Sequence, residues 1–344
     1  MLTSLVTGGA GFIGSHLVES LLADGRRVVV LDDLSTGDAA NLDAVRDHPG
    51  LRVVRDSIAN EARLAELLEE ADEVYHLAAV VGVRLVLEGP DRTVATNVGP
   101  TEVLLRRLAA RPRPLFLAST SEVYGKTTKM PLSEEDDLVL GPTVRGRWIY
   151  ACSKALDEYL ALAHYRRSGL PVVVGRFFNV VGPRQIGRYG MVLPRFVDQA
   201  LAGGPLVVHD DGRQVRCFAH VRDVVGAVRR LMAGPEAAGR VFNLGSDVPV
   251  TIRALAETVI RLVNPALEIE HVPYEQAVEP GFEDIRCRAA SRRGPRGPYH
   301  PGSAAPGSRW PPGRAPGRAR GSGCPRSPAR TPARKGRVRS PAPG

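Results

Sequence analysis

Ser4-Leu5-Val6-Thr7-Gly8-Gly9-Ala10-Gly11-Phe12-Ile13-Gly14-Ser15-His16-Leu17 is the stretch around which the rest of the chain is organised. Up to Thr7 it is apolar and β-branched, the pattern of a short buried strand. Glycines follow at 8, 11 and 14, and from Ser15 to Leu22 the apolar positions recur at helical spacing. Strand, tight glycine turn and helix, in that order, aim backbone N–H groups and the positive end of a helix at a pyrophosphate. Each glycine answers a separate steric need. One makes the turn, one lets a phosphate approach the backbone, and one lets helix and strand pack closely. Glycine triplets also arise in ordinary loops, but here a strand precedes, a helix follows, and an acidic pair stands at the distance the motif requires.

That pair closes the second buried strand, Arg26-Arg27-Val28-Val29-Val30-Leu31-Asp32-Asp33. Asp32 follows Gly8 by 24 positions, where a dinucleotide fold places the acid that accepts hydrogen bonds from the adenosine ribose. A carboxylate there repels a 2′-phosphate, so the cofactor expected is NAD in preference to NADP. Further strands are predicted at Leu51–Asp56, Glu73–Ala79, Pro114–Gly125, Pro171–Asn179 and Gly239–Gly245, and helices at Arg63–Glu70, Thr96–Ala109 and Thr251–Val263. His76 falls inside a strand and reads as a core histidine. Strands alternating with helices predict an α/β fold, a doubly wound parallel sheet of the Rossmann type. Ligands of such sheets bind outside the carboxyl ends of the strands, where Thr120, Ser121 and Glu122 fall.

Trp148 to Leu160 reads as a helix that puts Tyr150 and Lys154 at i and i+4, on one face. A phenol with an unperturbed pKa of about 10 is a poor base at neutral pH. A neighbouring ammonium favours the phenolate, so Lys154 is expected to lower the Tyr150 pKa toward the working range.

Composition narrows the function classes. The chain carries a formal net charge of +9, but residues 286–344 hold 15 Lys/Arg and no Asp or Glu. The first 285 residues keep 31 basic and 37 acidic side chains, so the part expected to fold is mildly acidic and no nucleic-acid partner is expected. Cys152, Cys217, Cys287 and Cys324 have no metal-ligand spacing; no metal site and no disulfide framework are expected. No run approaches the roughly 18 apolar residues of a membrane span, and a cytoplasmic location without membrane association is expected.

The motifs together resemble the extended short-chain dehydrogenase/reductase family, the NAD-dependent nucleotide-sugar epimerases, dehydratases and decarboxylases. They are Thr7–Gly14, Asp32–Gly37, His76–Ala79, Ser119–Gly125, Tyr150-x-x-x-Lys154 and Phe178–Arg184, and the likeness runs from about Leu2 to Arg288. The resemblance implies that Gly8, Gly11, Phe12, Ile13, Gly14, Asp32 and, at the adenine, Asp56 hold the cofactor together with Tyr150 and Lys154. It implies Thr120, Tyr150 and Lys154 as catalytic residues and a nucleotide-sugar substrate contacted by Ser121, Asn179, Arg195 and Arg216. Thr120-Ser121-Glu122 followed by Val123-Tyr124-Gly125 resembles UDP-glucuronate decarboxylases, as does Leu140-Gly141-Pro142 leading to Arg147-Trp148-Ile149-Tyr150. Hexose 4-epimerases usually carry a small residue where Glu122 stands, and 4,6-dehydratases an acidic pair. Gly281–Arg288 resembles the segment in which the decarboxylases carry an arginine near the sugar carboxylate, with Arg288 at the matching position. Glu122 and Arg288 therefore join the catalytic set. The expected reaction is decarboxylation of UDP-glucuronate to UDP-xylose, with 4-epimerisation of a UDP-sugar the alternative and 4,6-dehydration of dTDP-glucose behind it. A non-catalytic NAD(H)-binding protein is the reading of a different class. The family also implies a homodimer.

The domain expectation follows. Residues 1–178 form an NAD-binding Rossmann domain, and 179–288 form mainly a smaller substrate-binding lobe interleaved with its sheet. Residues 289–344 are a low-complexity Arg/Pro/Gly tail. From Cys287 on there is no Leu, Ile, Phe or Met, and 22 of the last 59 residues are Pro or Gly. Such a segment cannot bury enough apolar surface to offset its ordering entropy and is expected to be disordered. Two origins fit it: a shifted reading frame in a GC-rich gene, or a basic tail for an acidic partner.

Overall fold

A computed structural model describes residues 1–81, 89–187, 190–273 and the backbone of 287–288. All lie in the first of two units, Met1–Gly307. The second unit, Ser308–Gly344, and with it most of the basic tail, falls outside the described residues, as does Gly281–Arg286.

The glycine stretch folds as its pattern dictates. β1 (Thr3–Thr7) is buried along its whole length and leads through the turn into α1 (Phe12–Ala23). β2 (Arg27–Asp32) and β3 (Leu51–Arg55) follow, then α2 (Glu61–Glu70), started by the Asn60 side chain accepting from the Arg63 N–H. Next come β4 (Glu73–His76), α3 (Pro90–Ala110), β5 (Leu115–Thr120), α4 (Ile149–Ser168) and β6 (Val172–Phe177). α4 stops at Gly169, whose φ of 70° is the left-handed conformation that ends helices.

The chain then leaves the sheet. β7 (Asn179–Val181), α5 (Val192–Leu201), β8 (Leu206–His209) and β9 (Val215–His220) lead to α6 (Val221–Ala233). It returns as β10 (Arg240–Leu244) and leaves again through β11 (Pro249–Thr251), α7 (Ile252–Val263), β12 (Ile269–Val272) and β13 (Cys287–Arg288).

β10, β6, β5, β4, β1, β2 and β3 lie in that order in one seven-stranded sheet, every pair parallel. This is the doubly wound order with its reversal between β1 and β4. Both faces are covered, which is why runs such as Val28–Val30 and Val172–Val174 are continuously apolar. α1 and α6 pack one face around Leu17, Leu21, Val224 and Val228; α2, α3 and α4 pack the other around Leu64, Leu104, Leu108 and Ala161. A smaller sheet gathers β7, β11 and β13 on β9, and β8 pairs with β12. Phe196, Leu206, Val208, Ala256 and Val259 make a separate core there.

Several boundaries differ from the sequence reading: β4 stops at His76, β5 stops at Thr120 where a short turn follows, and α4 runs on to Ser168. α3 begins at Pro90 rather than near Thr96, because proline fits a first helical turn that needs no N–H donor. The strand expected to run through Asn179 breaks after Phe177, and Asn179 opens β7, paired with β9 instead of the main sheet. No helix among the described residues is long and apolar enough to cross a membrane.

Candidate active site

A cleft of about 1210 Å³ opens at the carboxyl ends of the parallel strands, between the main sheet and the smaller one. Its floor is the glycine turn. Gly8 has a φ of +71°, and a Cβ there would stand 2.7 Å from the Ala78 backbone nitrogen. A Cβ on Gly14 would stand 2.1 Å from the Gly8 carbonyl oxygen, so any side chain would push α1 off β1. No side chain caps α1 at Gly11, and the first N–H groups of a helix have no partner within it. Gly8, Gly11, Phe12, Ile13 and Gly14 all line the cleft.

Asp32 is held at the end of β2 by two backbone donors. Its Oδ2 accepts from the Ala10 N–H and its Oδ1 from the Leu34 N–H, both at 2.9 Å. Burial raises its pKa, and those two bonds oppose the rise. Each oxygen keeps a lone pair for a hydroxyl donor. Asp56 also lines the cleft, with Oδ2 accepting from Asn60 Nδ2 at 2.9 Å and Arg63 Nε 3.5 Å away. A concave, uncapped helix start with a fixed carboxylate beside it fits an NAD pyrophosphate and its adenosine ribose.

The opposite end of the cleft carries Thr120, Glu122, Tyr150 and Lys154. Thr120 ends β5, and its Oγ1 accepts from the Glu122 N–H at 3.2 Å while its hydroxyl pairs with that of Tyr150. Lys154 is buried, and its Nζ donates to Asp157 Oδ2 at 3.0 Å. The expectation that Lys154 lowers the Tyr150 pKa is corrected here. The phenol is pushed up, first by burial and then by the negative charge of Glu122, with the Thr120 hydrogen bond opposing. The negative charge of Asp157 adds to the rise.

The residues expected at the substrate converge on the cleft from the smaller sheet and from α5. Asn179 donates from Nδ2 to the Cys217 carbonyl at 3.3 Å, and Arg216 donates to the Val215 carbonyl at 2.9 Å. Arg195 on α5 donates to the Val207 carbonyl at 3.2 Å and meets His209 Nε2 at the same distance, and burial lowers its pKa. All three line the cleft. Ser121 does not; it is buried in the turn behind Thr120. Arg288 is placed by its backbone alone, as the register partner of Arg216 across the β13–β9 pairing.

His76 is the core residue its strand position implied, bonded to Thr7 Oγ1 at 2.7 Å and Thr101 Oγ1 at 2.9 Å. Burial, then the Lys154 charge, push its pKa down to about 3.

Three residues in or beneath the cleft are not singled out by the sequence. Arg147 lines the cleft with Nη2 3.7 Å from Glu122 Oε2 and its guanidinium 4.9 Å over the Trp148 ring. Its place three residues before Tyr150, on the turn entering α4, was the available signal. Asp157 stands at i+3 from Lys154. Glu158 takes a two-pronged hydrogen bond from Arg176, at 2.7 and 2.9 Å, and another from Ser119, tying α4 to β5 and β6 beneath the catalytic end.

A family model described as "NAD dependent epimerase/dehydratase family" matches residues 4–245. A UDP-N-acetyl-alpha-D-glucosaminuronate decarboxylase of Bacillus cytotoxicus is 39% identical over 285 residues, 83% of this chain and 87% of that protein. UDP-glucuronic acid decarboxylase 5 of Arabidopsis thaliana is 36% identical over 272 residues, 78% of this chain and 76% of that one. A dTDP-glucose 4,6-dehydratase from Streptomyces venezuelae, solved with NAD and TYD bound, superposes with a TM-score of 0.74 at 31% identity, covering 84% of this chain and 88% of the other.

Proposed function

The chain belongs to the NAD-dependent epimerase/dehydratase family, and on that premise we propose that it decarboxylates a UDP-hexuronate, with UDP-glucuronate the first candidate and UDP-xylose its product. The observation that carries this reading is the carboxylate of Glu122, set in the cleft beside the Thr120–Tyr150 pair and facing Arg147. The two decarboxylase relatives support it, and the Bacillus relative makes the 2-acetamido uronate the second candidate.

NAD would be held by the glycine turn and Asp32, and would supply a hydride acceptor and later a hydride donor. Asp32 favours it over NADP, because a 2′-phosphate would meet a buried carboxylate. Cofactor titrations finding NADP bound as tightly would overturn that preference.

In its phenolate form Tyr150 accepts the proton of the carbon-4 hydroxyl, and Thr120, paired with the Tyr150 oxygen, donates to the same substrate oxygen and steadies its developing charge. Oxidation at carbon 4 makes a β-keto acid. The bond between carbon 5 and the carboxyl then breaks, carbon dioxide leaves, and the electron pair enters an enolate whose oxygen Tyr150 and Thr120 hold. The enolate takes a proton at carbon 5, and reduction at carbon 4 with return of the Tyr150 proton completes the pentose. Glu122 and Arg147 orient the ring and its carboxylate, and Arg288 serves the same carboxylate. Asn179, Arg195 and Arg216 hold the diphosphate and uridine.

The test incubates the protein with NAD and, separately, UDP-glucuronate, UDP-N-acetylglucosaminuronate, UDP-glucose and dTDP-glucose, with products read by mass. Loss of carbon dioxide from a uronate is the expected result. Interconversion of UDP-glucose and UDP-galactose with both uronates untouched would instead establish a 4-epimerase, and loss of water from dTDP-glucose a dehydratase.

A further inference from the structure

Tyr150, Lys154 and Asp157 fall at i, i+4 and i+7 of α4, so a phenol, an ammonium and a carboxylate form one stripe on the face turned to the sheet. The third member has no part in the chemistry above. It is completely buried, with Oδ2 3.0 Å from Lys154 Nζ and Oδ1 left without any hydrogen-bond partner. A buried carboxylate with one unsatisfied oxygen is costly to place, and packing alone does not account for it.

We propose that Asp157 is a positioning residue that fixes the Lys154 ammonium and offsets its charge, and so governs how strongly Lys154 can favour the Tyr150 phenolate. An ammonium within a few ångströms favours a neighbouring phenolate, but a carboxylate bonded to that ammonium turns the isolated charge into a dipole, whose field falls off faster with distance. Asp157 also acts on the phenol directly, and its charge raises the Tyr150 pKa. The other titratable groups that reach the trio are accounted for. Glu122 approaches Tyr150 from the turn after β5. His76 on β4 is neutral. Glu158, next on α4, is matched by Arg176 of β6. α3 contributes Asn97 and Thr101, which carry no charge. Asp157 is thus the group whose removal leaves Lys154 without its bonded counter-charge.

This inference rests on Tyr150 being the acid–base residue, and its test is chosen to stand apart from substrate identity. With 3,5-difluorotyrosine in place of Tyr150, the phenol titrates in a range the fold tolerates and is followed by fluorine NMR on the full chain, with and without NAD and with no sugar present. Asp157→Asn keeps the side-chain shape and removes the charge. The expected result is a fall in the position-150 pKa of about one unit or more, the size expected when an ammonium is left to act alone on its neighbour. Asp157→Glu should restore the parent value. Should Asp157→Asn not fold, Asp157→Ser carries the same expectation. An unchanged titration in a folded, NAD-binding variant overturns the proposal and leaves Asp157 a purely structural residue. Where a uronate is turned over, the acidic limb of kcat/KM should move to lower pH in step with the titration. A titration that shifts in a protein that decarboxylates nothing would retain the Asp157 role and discard the substrate assignment.

Discussion

At the scale of single residues, the site is a set of polar groups whose partners decide what they can do. Tyr150 has Thr120 at its hydroxyl and a buried environment that favours the protonated form. Tyr150→Phe removes only that hydroxyl. It should lower kcat by about 10²–10⁴-fold, the contribution of a positioned acid–base group, and leave NAD affinity near the parent value; parallel loss of both would mean the side chain is structural. His76 makes a pH prediction. Its pKa is depressed in the fold to about 3 and returns to about 6.5 on unfolding. The unfolded chain therefore binds the extra proton between those values, and the stability contributed by neutral His76 is fully present above pH 6.5 and lost as pH falls toward 3. The slope from this one group is at most about 1.4 kcal/mol per pH unit. Urea unfolding across that window should show a flatter acid limb for His76→Gln, which cannot take up a proton. An equally steep limb would place the acid sensitivity elsewhere.

At the scale of elements, α4 carries Tyr150 and Lys154 and is held by what lies beneath it. The Glu158–Arg176 pair joins it to β6, with both side chains almost wholly buried. Glu158→Ala would strand the guanidinium and should cost about 3–5 kcal/mol in chemical denaturation, whereas Glu158→Ala combined with Arg176→Leu should recover part of the loss, because the isolated buried charge is what costs most. No recovery would mean the pair acts through geometry alone. The elements were largely legible because each has a local cause: β-branched runs for the covered strands, glycines for the turn into α1, Gly169 for the end of α4. The start of α3 was not, since Pro90 reads as a breaker unless the helix it opens is already known. Nor was the break at Phe177, because β6 and β7 are both apolar and only pairing partners tell them apart. The site divides in the same way. Tyr150, Lys154, Asp32 and the glycines announce themselves by spacing. Arg147 and Asp157 do not, because their roles come from what the fold brings beside them, and the Tyr150 pKa was misjudged because burial cannot be read from an i, i+4 pattern.

At the scale of the whole molecule, the face of α4 turned away from the sheet is apolar. Cys152, Leu156, Tyr159 and Ala163 are exposed at i, i+4, i+7 and i+11, and no charged residue interrupts them. The neighbouring helix α3 exposes Val94, Ala95 and Gly99 in its first half. Tyr159 is 64% exposed and Leu156 44%, two large apolar side chains adjacent on one helix face. Patches of this kind mark association surfaces, and a face formed by two packed helices, met by its own copy across a twofold axis, is a self-complementary one. We therefore expect a homodimer built on α3 and α4. It would set the outer faces of two copies of α4 against each other. Tyr159→Glu places a charge in the centre of the stripe, far from the cleft on the opposite side of the helix. Sedimentation at micromolar concentration should find the parent chain dimeric and this variant monomeric, with NAD binding kept in both. A parent chain that sediments as a monomer, or a variant that remains dimeric, would remove this face from the assembly.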